Sequence, residues 1–436
     1  MKKTVNIGII GFGTVGQGVY NLIKTNSNII TPRSGIELNI KTICDINLSL
    51  FNNKFDNAVG AITPGRPFNI KITDKWEDVV NDNEIDIVVE VIGGISPAKE
   101  IIISSLGAGK NVVTANKKLL AENGLPILEA IAKTGKSVGF EAAVGGGIPC
   151  ILSLRQGMIG NRIKSIVGIL NGTSNYILTR MDEDSASFAH ALKDAQSKGF
   201  AEADPTFDIE GCDAGHKISL LAMLSYGKLI DFKSIPIEGI SNISSIDISY
   251  AKDMGYIIKL LGIAKFKDRT LDIRVHPTMI PNDHPLASVR NEFNSIMFDG
   301  DMTGPVILNG KGAGSLPTAS SIVSDIIQLS NKNDYNGMLS NEVKLMSPEE
   351  RMSRYYIRLQ TEDSPGILSQ ISGVLGMRKI SIASVIQKEV NEGYVPLIIV
   401  THQAVEGELL KCIEDIENFP FIKERAIVIP VEDFKN

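Results

Sequence analysis

Hydrophobic and polar positions in the first third of the chain alternate between short apolar runs and longer amphipathic stretches. The apolar runs that predict buried strands are Ile7–Ile10, Ile40–Cys44, Ile85–Ile92, Asn111–Thr114 and Ser137–Glu141. The stretch Pro97–Gly107 predicts one of the intervening helices. Because strands that alternate with helices pair in parallel, this part is predicted to be an α/β domain with a doubly wound parallel sheet.

The middle of the chain has a different pattern. A strand is predicted at Ile163–Leu170, followed by the polar turn Asn171–Asn175, and a second strand at Leu271–Pro277. Helices are predicted at Phe188–Gly199 and at about 213–226. This mixture predicts an α+β domain. Further on, the glycine-rich segment 310–314 is predicted to be a mobile loop that leads into a helix at Thr318–Leu329.

The last part of the chain follows a polar segment, 331–350, that is typical of a linker. Beyond it, strands are predicted at Tyr355–Gln360, Ile380–Gln387, Val395–Thr401 and Ile427–Pro430, with helices at 363–377 and Gly407–Glu417. The order βαββαβ predicts a small ferredoxin-like domain.

With 436 residues the chain is too long for a single compact core. We therefore predict a dinucleotide-binding domain at 1–136 with a return segment at about 305–335, a substrate and dimerisation domain at 137–304, a linker at 336–353, and a regulatory domain at 354–433.

Composition narrows the class of protein. Hydrophobic residues make up 43% and charged residues 22%, and the formal net charge is -6, so no basic surface is expected to attract nucleic acid or an anionic membrane. The four cysteines are widely spaced without a C-x-x-C pair, which fits a reducing, cytoplasmic environment. No apolar run reaches the 18 residues of a membrane span, and no cleavable leader is predicted.

The segment Gly11-Phe12-Gly13-Thr14-Val15-Gly16 directly follows the first strand and has the form G-x-G-x-x-G. In a strand–turn–helix unit, these glycines allow a tight turn, close approach of a pyrophosphate and close packing of the helix. The segment therefore predicts a Rossmann-type dinucleotide site; the alternative is a glycine-rich turn that binds nothing.

An acidic segment precedes Asp213 and Lys217, which are four residues apart and share one face of a predicted helix. A surface ion pair, which contributes about 0.3–0.5 kcal/mol, is the simplest interpretation. A position after several carboxylates on a loop rich in Gly and Pro favours a functional site instead. An EF-hand calcium loop is excluded by the spacing and by Pro205.

Three further features have two interpretations each. Lys117 follows a parallel strand, where ligands bind, although a solvated lysine fits the position equally well. The glycines of 141–149 suit a cation site or, by spacing alone, preferably a hinge. Cys150 is either a nucleophile or, with no histidine nearby, a buried structural thiol. The five histidines lack metal-ligand spacing.

Taken together, these motifs resemble homoserine dehydrogenase, in the monofunctional bacterial form with a C-terminal ACT domain. The resemblance covers nearly the whole chain and depends on motifs that occur in the expected order: 11–16, 112–117, 140–149, 170–176 and 201–217. The segments 363–366 and 381–387 resemble an ACT module.

The resemblance implies NAD(P)-dependent interconversion of L-aspartate 4-semialdehyde and L-homoserine, in the biosynthesis of threonine, methionine and isoleucine. Lys217 would be the proton donor, Asp213 would hold substrate and lysine in register, and Glu202 would bind the substrate ammonium. Lys117 would lie beside the nicotinamide and the substrate, as a third catalytic residue. The other implied substrate-binding residues are Asn171, Gly172 and Thr173.

The resemblance also implies a cofactor site and a metal site. The cofactor residues are Gly11, Phe12, Gly13, Thr14, Val15, Gly16, Asp45, Gly93, Thr114, Lys117, Gly312 and Gly314. Glu141, Val144, Gly146 and Ile148 match a position where mostly backbone oxygens hold a sodium ion, which replaces the hinge interpretation.

Two expectations concern specificity and control. Asp45 follows the second strand without a basic neighbour until Lys54, and its charge would accept a ribose 2′-hydroxyl but repel a 2′-phosphate, so NAD is expected to be preferred. The ACT-like residues Asp363, Pro365 and Gly366 imply feedback inhibition, with threonine as the expected effector. A homo-oligomer, dimer or tetramer, is expected.

Two other functions remain open. The chain could be a non-catalytic sensor of a dinucleotide and an amino acid, although a sensor needs no proton donor and therefore no set of Lys217, Asp213, Glu202 and Lys117. It could also be a dehydrogenase of another aldehyde or amino acid on the same scaffold.

Overall fold

The computed structural model describes residues 3–49, 70–331, 343–387 and 394–434. The chain divides into two compact units. The first unit comprises Met1–Ile163, His216–Ser234 and Asn294–Asn341, and the second comprises Lys164–Gly215, Ile235–Phe293 and Glu342–Asn436.

The strands of the described residues are, in chain order, β1 Lys3–Ile10, β2 Ile36–Cys44, β3 Lys71–Thr73, β4 Ile87–Glu90, β5 Asn111–Thr114, β6 Val138–Gly139, β7 Ile163–Ile169, β8 Tyr256–Lys267, β9 Thr270–Pro281, β10 Phe293–Gly300, β11 Gly304–Lys311, β12 Lys344–Leu345, β13 Met352–Glu362, β14 Ile382–Gln387, β15 Tyr394–Thr401, β16 Ala404–Val405 and β17 Ile427–Val431.

The α-helices of the described residues are, in chain order, α1 Thr14–Ser34, α2 Glu77–Val80, α3 Ala98–Gly107, α4 Lys117–Thr134, α5 Cys150–Leu152, α6 Gly172–Glu183, α7 Phe188–Ser197, α8 Thr206–Ile209, α9 Cys212–Tyr226, α10 Ser245–Asp253, α11 Ser315–Ser330, α12 Ile367–Met377 and α13 Glu406–Glu417.

The first unit contains a parallel sheet of six strands in the order β3-β2-β1-β4-β5-β6. This is the strand order of a doubly wound Rossmann sheet, so the predicted fold class is confirmed. Ile10 pairs with Cys44 on one side and with Glu90 on the other, which brings the carboxyl ends of β1, β2 and β4 to one edge. Ligands of such sheets bind at that edge.

Helix α11 packs on this sheet beside α1, and apolar side chains of both helices share one core with those of β1 and β2. The segment 310–314 departs from the prediction of a mobile loop. Gly310 and Lys311 end strand β11, and α11 begins at Ser315, before the predicted start at Thr318.

The second unit is built on an antiparallel hairpin, β8–β9, with β7 paired to β8. Asp268 and Arg269 form the two-residue turn with φ of 50° and 63°, a backbone whose twist matches that of the paired strands. The sequence analysis located part of β9 and missed β8 altogether.

Strands β13, β14, β15 and β17 form an antiparallel layer in the order β17-β13-β15-β14. Helices α12 and α13 bury their apolar side chains against this layer in a core of their own. The predicted ferredoxin-like βαββαβ unit is confirmed.

This C-terminal layer continues the sheet of the middle part of the chain. Strand β17 pairs in parallel with β9 through Val431 and Met279, and β12 pairs in parallel with β9 through Lys344 and Thr270. Part of the segment predicted to be a linker, 336–353, is therefore a strand, because Lys344 and Leu345 have main-chain partners.

Across the described part of the chain, the structure contains no helix that is both long and apolar enough to cross a bilayer.

Candidate active site

The turn between β1 and α1 depends on its glycines in different ways. Gly11 has a left-handed φ of 100°, and a Cβ there would lie 2.7 Å from the carbonyl oxygen of Val91. A Cβ on Gly16 would lie 2.1 Å from the carbonyl oxygen of Gly11, whereas one on Gly13 would meet no described atom within 4 Å. Gly11 and Gly16 thus allow close packing, and Gly13 leaves space in front of the start of α1, where main-chain amides can bind an anion.

Asp45 lies beside this turn because β2 ends next to β1. One carboxylate oxygen accepts the Phe12 amide at 2.6 Å, and the other accepts the Asn47 amide at 2.8 Å. A negative charge therefore lies next to the glycine turn, as the sequence predicted. Lys54, the next basic residue along the chain, lies outside the described residues.

The ends of β4 and β5 form a hydrogen-bonded group at the same edge. The Thr114 hydroxyl donates to Glu90 at 2.6 Å and accepts the Asn116 amide at 3.0 Å. The Asn116 side chain caps α4 by accepting the Leu119 amide and donates to the Gly94 carbonyl at 2.6 Å. Burial raises the pKa of Glu90.

Gly93 and Lys117 complete this edge of the first unit. Gly93 has a left-handed φ of 76° in the turn after β4, and the half-buried Lys117 is the first residue of α4. Gly93, Thr114 and Lys117 thus lie at the same sheet edge as the Gly11–Gly16 turn.

The segment Gly312–Gly314 is distant in sequence from the Gly11–Gly16 turn but lies close to it in the fold. The Ser315 hydroxyl, at the start of α11, donates to the Thr14 carbonyl at 2.7 Å. A Cβ on Gly146 would lie 2.5 Å from the Gly312 carbonyl oxygen, so Gly312 must approach the segment 141–148 closely. Gly314 therefore lies next to a residue that contacts the glycine turn, and binding of the cofactor by Gly312 and Gly314 stays a prediction.

The side chain of Glu141 holds two backbone segments together. Its carboxylate accepts the Ile151 and Leu152 amides at 2.8 and 2.7 Å, and its own amide donates to Asp325 at 2.8 Å. Burial, and then the neighbouring negative charge, raises the pKa of Asp325 to about 7. Each oxygen of the Glu141 carboxylate thus accepts one backbone amide.

The carbonyls predicted to hold sodium are partly engaged. The carbonyl of Gly146 accepts the Ser321 hydroxyl at 2.6 Å, and that of Ile148 accepts the Cys150 amide at 2.8 Å. A carbonyl oxygen has two lone pairs, so each can still bind a cation. Among the described residues, no group of three or more His, Cys, Asp or Glu side chains could hold a metal. Sodium binding at Glu141, Val144, Gly146 and Ile148 stays a prediction.

Cys150 is fully buried, and burial raises the pKa of its thiol well above the ordinary value. A neutral buried thiol is a poor nucleophile, which favours the structural interpretation. Cys44, Cys212 and Cys412 are likewise free thiols.

Helix α9 carries Lys217 and Asp213 one turn apart, so the two side chains share a face of the helix. Lys217 is 6% exposed and Asp213 is 1% exposed, which excludes the interpretation as a surface ion pair. The neighbouring His216 is anchored by a contact of its Nε2 with Glu122 at 2.9 Å and by the ring of Phe232.

In the second unit, Asn171 joins two carboxylates. Its side-chain nitrogen donates to Asp208 at 2.7 Å and to Asp213 at 2.9 Å, while its oxygen accepts the Ser174 amide and caps α6. The Thr173 hydroxyl donates to Phe200 at 2.6 Å and lies 3.2 Å from Asp208. This pair of carboxylates can bind an ammonium group.

Asp208 is a candidate site residue that the sequence analysis did not single out. It is one of several carboxylates in the acidic segment, and only the fold shows that it faces Asn171. Its position five residues before Asp213 was the signal available in the sequence.

Glu202 and Gly172 are placed differently. Gly172 begins α6 next to Asn171. Glu202 is exposed, and its backbone oxygen accepts a hydrogen bond from the Gln196 side chain at 3.1 Å. Within the described residues, the Glu202 carboxylate is therefore not part of the Asn171 cluster.

The loop Asp363–Gly366 of the C-terminal domain is exposed. The Asp363 carboxylate accepts the Gln387 side chain at 3.2 Å, and Gly366, with a left-handed φ of 91°, precedes α12. The loop leads into a helix without a side-chain cap, and its regulatory role stays a prediction.

Comparisons with known proteins agree with this architecture. Residues 11–141 match the model of the homoserine dehydrogenase NAD binding domain, residues 149–327 match that of homoserine dehydrogenase, and residues 355–418 match the ACT domain.

The chain is 41% identical to the homoserine dehydrogenase of Neisseria gonorrhoeae and 40% identical to that of Pseudomonas aeruginosa, with 99% of both chains covered in each case. A crystal structure of a homoserine dehydrogenase from Thiobacillus denitrificans superposes with a TM-score of 0.90 at 39% identity, again over 99% of both chains. A hyperthermophilic archaeal homoserine dehydrogenase solved in complex with NADPH has a TM-score of 0.60 at 28% identity and covers 76% of this chain and 98% of its own.

Fold, glycine turn and these matches define an oxidoreductase that binds a nicotinamide dinucleotide and carries an ACT domain. More particularly, the chain belongs to the homoserine dehydrogenase family.

Proposed function

We propose that this chain catalyses the reversible NAD(P)-dependent reduction of L-aspartate 4-semialdehyde to L-homoserine, in the biosynthesis of threonine, methionine and isoleucine. The observation that carries the proposal is the burial of Asp213 and Lys217 on one face of α9. A buried lysine next to a buried carboxylate is costly unless it has a task or a fixed partner, and proton transfer is such a task.

In the proposed reaction, hydride from the nicotinamide attacks the aldehyde carbon and negative charge develops on its oxygen. Lys217 donates a proton to that oxygen, and in the reverse direction it accepts the proton. Asp213 and Asp208, held by Asn171, bind and orient the substrate. Glu202 is proposed to bind the substrate ammonium, and Lys117, the first residue of α4, to lie beside the nicotinamide and the substrate. The cofactor supplies the redox chemistry.

The experiment that tests this mechanism compares Lys217→Ala with Lys118→Ala, a variant of an exposed lysine. We expect Lys217→Ala to lower kcat by ~10²–10⁴, the usual contribution of a proton donor, with cofactor binding unchanged. Lys118→Ala should resemble the wild type. Oxidation of the reduced cofactor with aspartate semialdehyde measures turnover, and quenching of cofactor fluorescence measures binding.

Full activity of Lys217→Ala would remove this lysine from the mechanism. No turnover of aspartate semialdehyde by the wild type, with cofactor still bound, would instead favour a sensor or a dehydrogenase of another aldehyde.

For the cofactor, we propose a preference for NAD over NADP. The support is the Asp45 carboxylate beside the Phe12 amide, because a fixed negative charge repels a 2′-phosphate. Measured kcat/KM values with NADH and with NADPH test the preference. In Asp45→Ser the ratio of these two values should be closer to one than in the wild type. A higher kcat/KM with NADPH than with NADH in the wild type would contradict it.

We also propose that the carbonyl groups of the segment 141–148 bind sodium. Carbonyl oxygens without a strong negative charge suit a hard monovalent cation. Thermal unfolding in sodium chloride and in choline chloride of equal ionic strength tests this proposal, with a higher Tm expected in sodium. Equal Tm values would rule it out.

Regulation is proposed to occur through the exposed loop with Asp363, Pro365 and Gly366, with threonine as the effector and a dimer or tetramer as the assembly. Because β9 pairs with β12 and β17, removing the C-terminal domain would expose β9, so a point variant is the better test. Asp363→Ala should abolish inhibition by threonine, and Glu414→Gln, an exposed control in the same domain, should not. Light scattering measures the assembly.

A further inference from the structure

The second unit contains a cavity with charged walls, formed by residues other than those of the candidate active site. It has a volume of about 320 Å³ and lies between strand β9 and the C-terminal domain. Arg274 and His276 come from β9, Arg351 precedes β13, and Glu406 is the first residue of α13. Such a volume is at the lower end of ligand sites, so it suits a small molecule.

Two buried arginines form one wall of this cavity. Arg274 is 5% exposed and Arg351 is 3% exposed. Arg351 donates through Nε to Asp272 at 2.8 Å and through a terminal nitrogen to Glu406 at 2.8 Å. Arg274 donates through Nε to His276 at 2.7 Å and through a terminal nitrogen to Asp272.

Each guanidinium retains donors for a ligand. In its hydrogen bonds to described residues, each arginine uses Nε and one terminal nitrogen, which leaves the second terminal nitrogen available. His276 adds no charge, because burial and then the Arg274 guanidinium lower the pKa of its imidazole to about 3. A carboxylate is the group that fits the free guanidinium nitrogens.

Two carboxylates also line the cavity, those of Glu238 and Glu406, and the second is paired with Arg351 at 2.8 Å. Glu238 lines it from the exposed side, and its carboxylate has no hydrogen bond or ion pair with the described residues. Burial, followed by the negative charge of Glu406, raises the pKa of Glu238. A cationic ligand reduces the repulsion between two neighbouring carboxylates, and an ammonium group can donate hydrogen bonds to both.

The remaining wall is apolar and consists of side chains such as Val275, Leu409, Leu410 and Val428. The cavity therefore presents guanidinium groups, carboxylates and a hydrocarbon surface within a space for a few heavy atoms. A dianion would be repelled by Glu238, and a dication by the arginines.

We propose that this cavity binds a free α-amino acid with a short side chain. Its carboxylate binds Arg274 and Arg351, its ammonium binds Glu238 and Glu406, and its side chain packs on Leu409 and Leu410. The site is separate from the loop at Asp363, because the two lie at opposite ends of β13, which has eleven residues and is about 35 Å long.

An occupant of this cavity contacts both β9 and the C-terminal domain. Its affinity therefore depends on how these parts are docked, and by linkage its binding stabilises the docked arrangement. The proposal does not depend on the dehydrogenase reaction, and its test has a readout other than activity.

The test uses calorimetry and thermal unfolding of the full chain with glycine, L-alanine, L-serine, L-threonine and L-valine. N-acetyl-L-alanine and L-alanine methyl ester, which each lack one charge, are the matched ligand controls. We expect at least one free amino acid to bind saturably and raise Tm, and both blocked analogues of a bound alanine to bind about tenfold or more weakly.

Protein variants locate the site. Glu238→Gln removes the exposed carboxylate and should weaken binding about tenfold, and Leu410→Trp should fill the cavity from its exposed side and abolish binding. Neither residue has a buried polar contact, so both variants should fold. Glu414→Gln, on the same helix, is the protein control, and Asp363→Ala reports separately on the exposed loop.

Two results would overturn the proposal. One is the absence of binding by all five amino acids at ~10 mM, a concentration that detects even weak complexes. The other is binding that Glu238→Gln and Leu410→Trp leave unchanged, including binding that only Asp363→Ala removes.

Discussion

The side-chain amide of Asn171 has a fixed orientation because its two ends have different partners. Its oxygen caps α6, so its nitrogen must point to Asp208 and Asp213 and donates one proton to each. Without these protons, two carboxylates would face each other at close range. The residue therefore couples the start of a helix to the charge distribution of the candidate substrate site.

Two substitutions distinguish the role of Asn171 as a helix cap from its role as a hydrogen-bond bridge between Asp208 and Asp213. Asn171→Ser retains an oxygen for the cap but loses the two amide N–H donors, and its single, shorter hydroxyl cannot bridge both carboxylates. We therefore expect a small change in Tm and a fall in kcat/KM of about 10²-fold or more. Asn171→Ala should lose activity similarly and about 1 kcal/mol of stability in addition. As a control for loss of a cap alone, Ser187→Ala should lower Tm and leave kcat/KM unchanged. Equal kcat/KM in Asn171→Ser and wild type would contradict the bridging role.

Asp325 gives the stability of the protein a pH dependence. Its pKa is raised to about 7 in the folded state, so the folded protein binds a proton that the unfolded chain releases near its ordinary pKa. Its contribution is therefore fully present below the unfolded pKa and is lost as the pH rises through about 7. Asp325→Asn, which retains an acceptor for the Glu141 amide, should remove this loss.

Urea unfolding of the wild type and Asp325→Asn at pH 5, 6, 7 and 8 measures this effect. We expect the stability of the variant relative to the wild type to increase from pH 5 to about pH 7 and then level off. A difference that is independent of pH would show that Asp325 does not titrate in this range.

At the scale of elements, the turn between β1 and α1 combines a packing requirement with a binding requirement. Gly11 and Gly16 are in contact with backbone atoms, whereas the hydrogens of Gly13 point into open space. One motif thus contains two glycines that the packing requires and a third, Gly13, that we expect to leave room for a ligand.

Alanine variants of these glycines should differ accordingly. In Gly16→Ala the new methyl group would overlap the Gly11 carbonyl, so we expect a loss of 1–3 kcal/mol or more, of the order of an overpacked site. Gly13→Ala should leave Tm unchanged, since its φ of -69° suits alanine, but should weaken binding of NADH. Thermal unfolding and cofactor fluorescence measure the two effects. The interpretation fails if Gly13→Ala binds NADH like the wild type.

Elements with local signals were the ones that the sequence predicted. The apolar runs of β1, β2, β4 and β5 and the βαββαβ order of the C-terminal domain are visible in sequence because burial on both faces and alternation leave regular patterns. Strand β8 was missed because its largely apolar residues do not alternate, and the turn signal of Gly255 directly before it is weak by itself. Asp208 was not singled out because its partner, Asn171, is distant in sequence.

At the scale of the second unit, one buried carboxylate joins α10 to the C-terminal domain. Asp247 is fully buried and closes a capping box with Ser244. It also accepts the Tyr356 hydroxyl at 2.9 Å and Arg358 Nε at 2.7 Å. No local pattern reveals such pairings, because they depend on which surfaces the fold brings together.

Removing the Arg358 guanidinium, which pairs with Asp247, should lower the free energy of unfolding. Arg358→Met leaves the Asp247 charge buried, and we expect a loss of about 3–5 kcal/mol of unfolding free energy. Arg378→Met, which removes an arginine paired with Asp415 and Glu408 on the surface, should lower the free energy of unfolding far less. Urea unfolding compares the two. Similar losses in both variants would mean that Asp247 is not stabilised by Arg358.

The pairing of β9 with β12 and β17 limits how natural or designed chimeras can exchange the C-terminal module. A transplanted domain that folds perfectly by itself would still leave the main-chain groups of Thr270 and Met279 without their present partners. A functional hybrid must therefore import matching partner strands for β9 together with the loop at Asp363. The crossover point consequently belongs upstream of residue 344 rather than at the domain border suggested by composition.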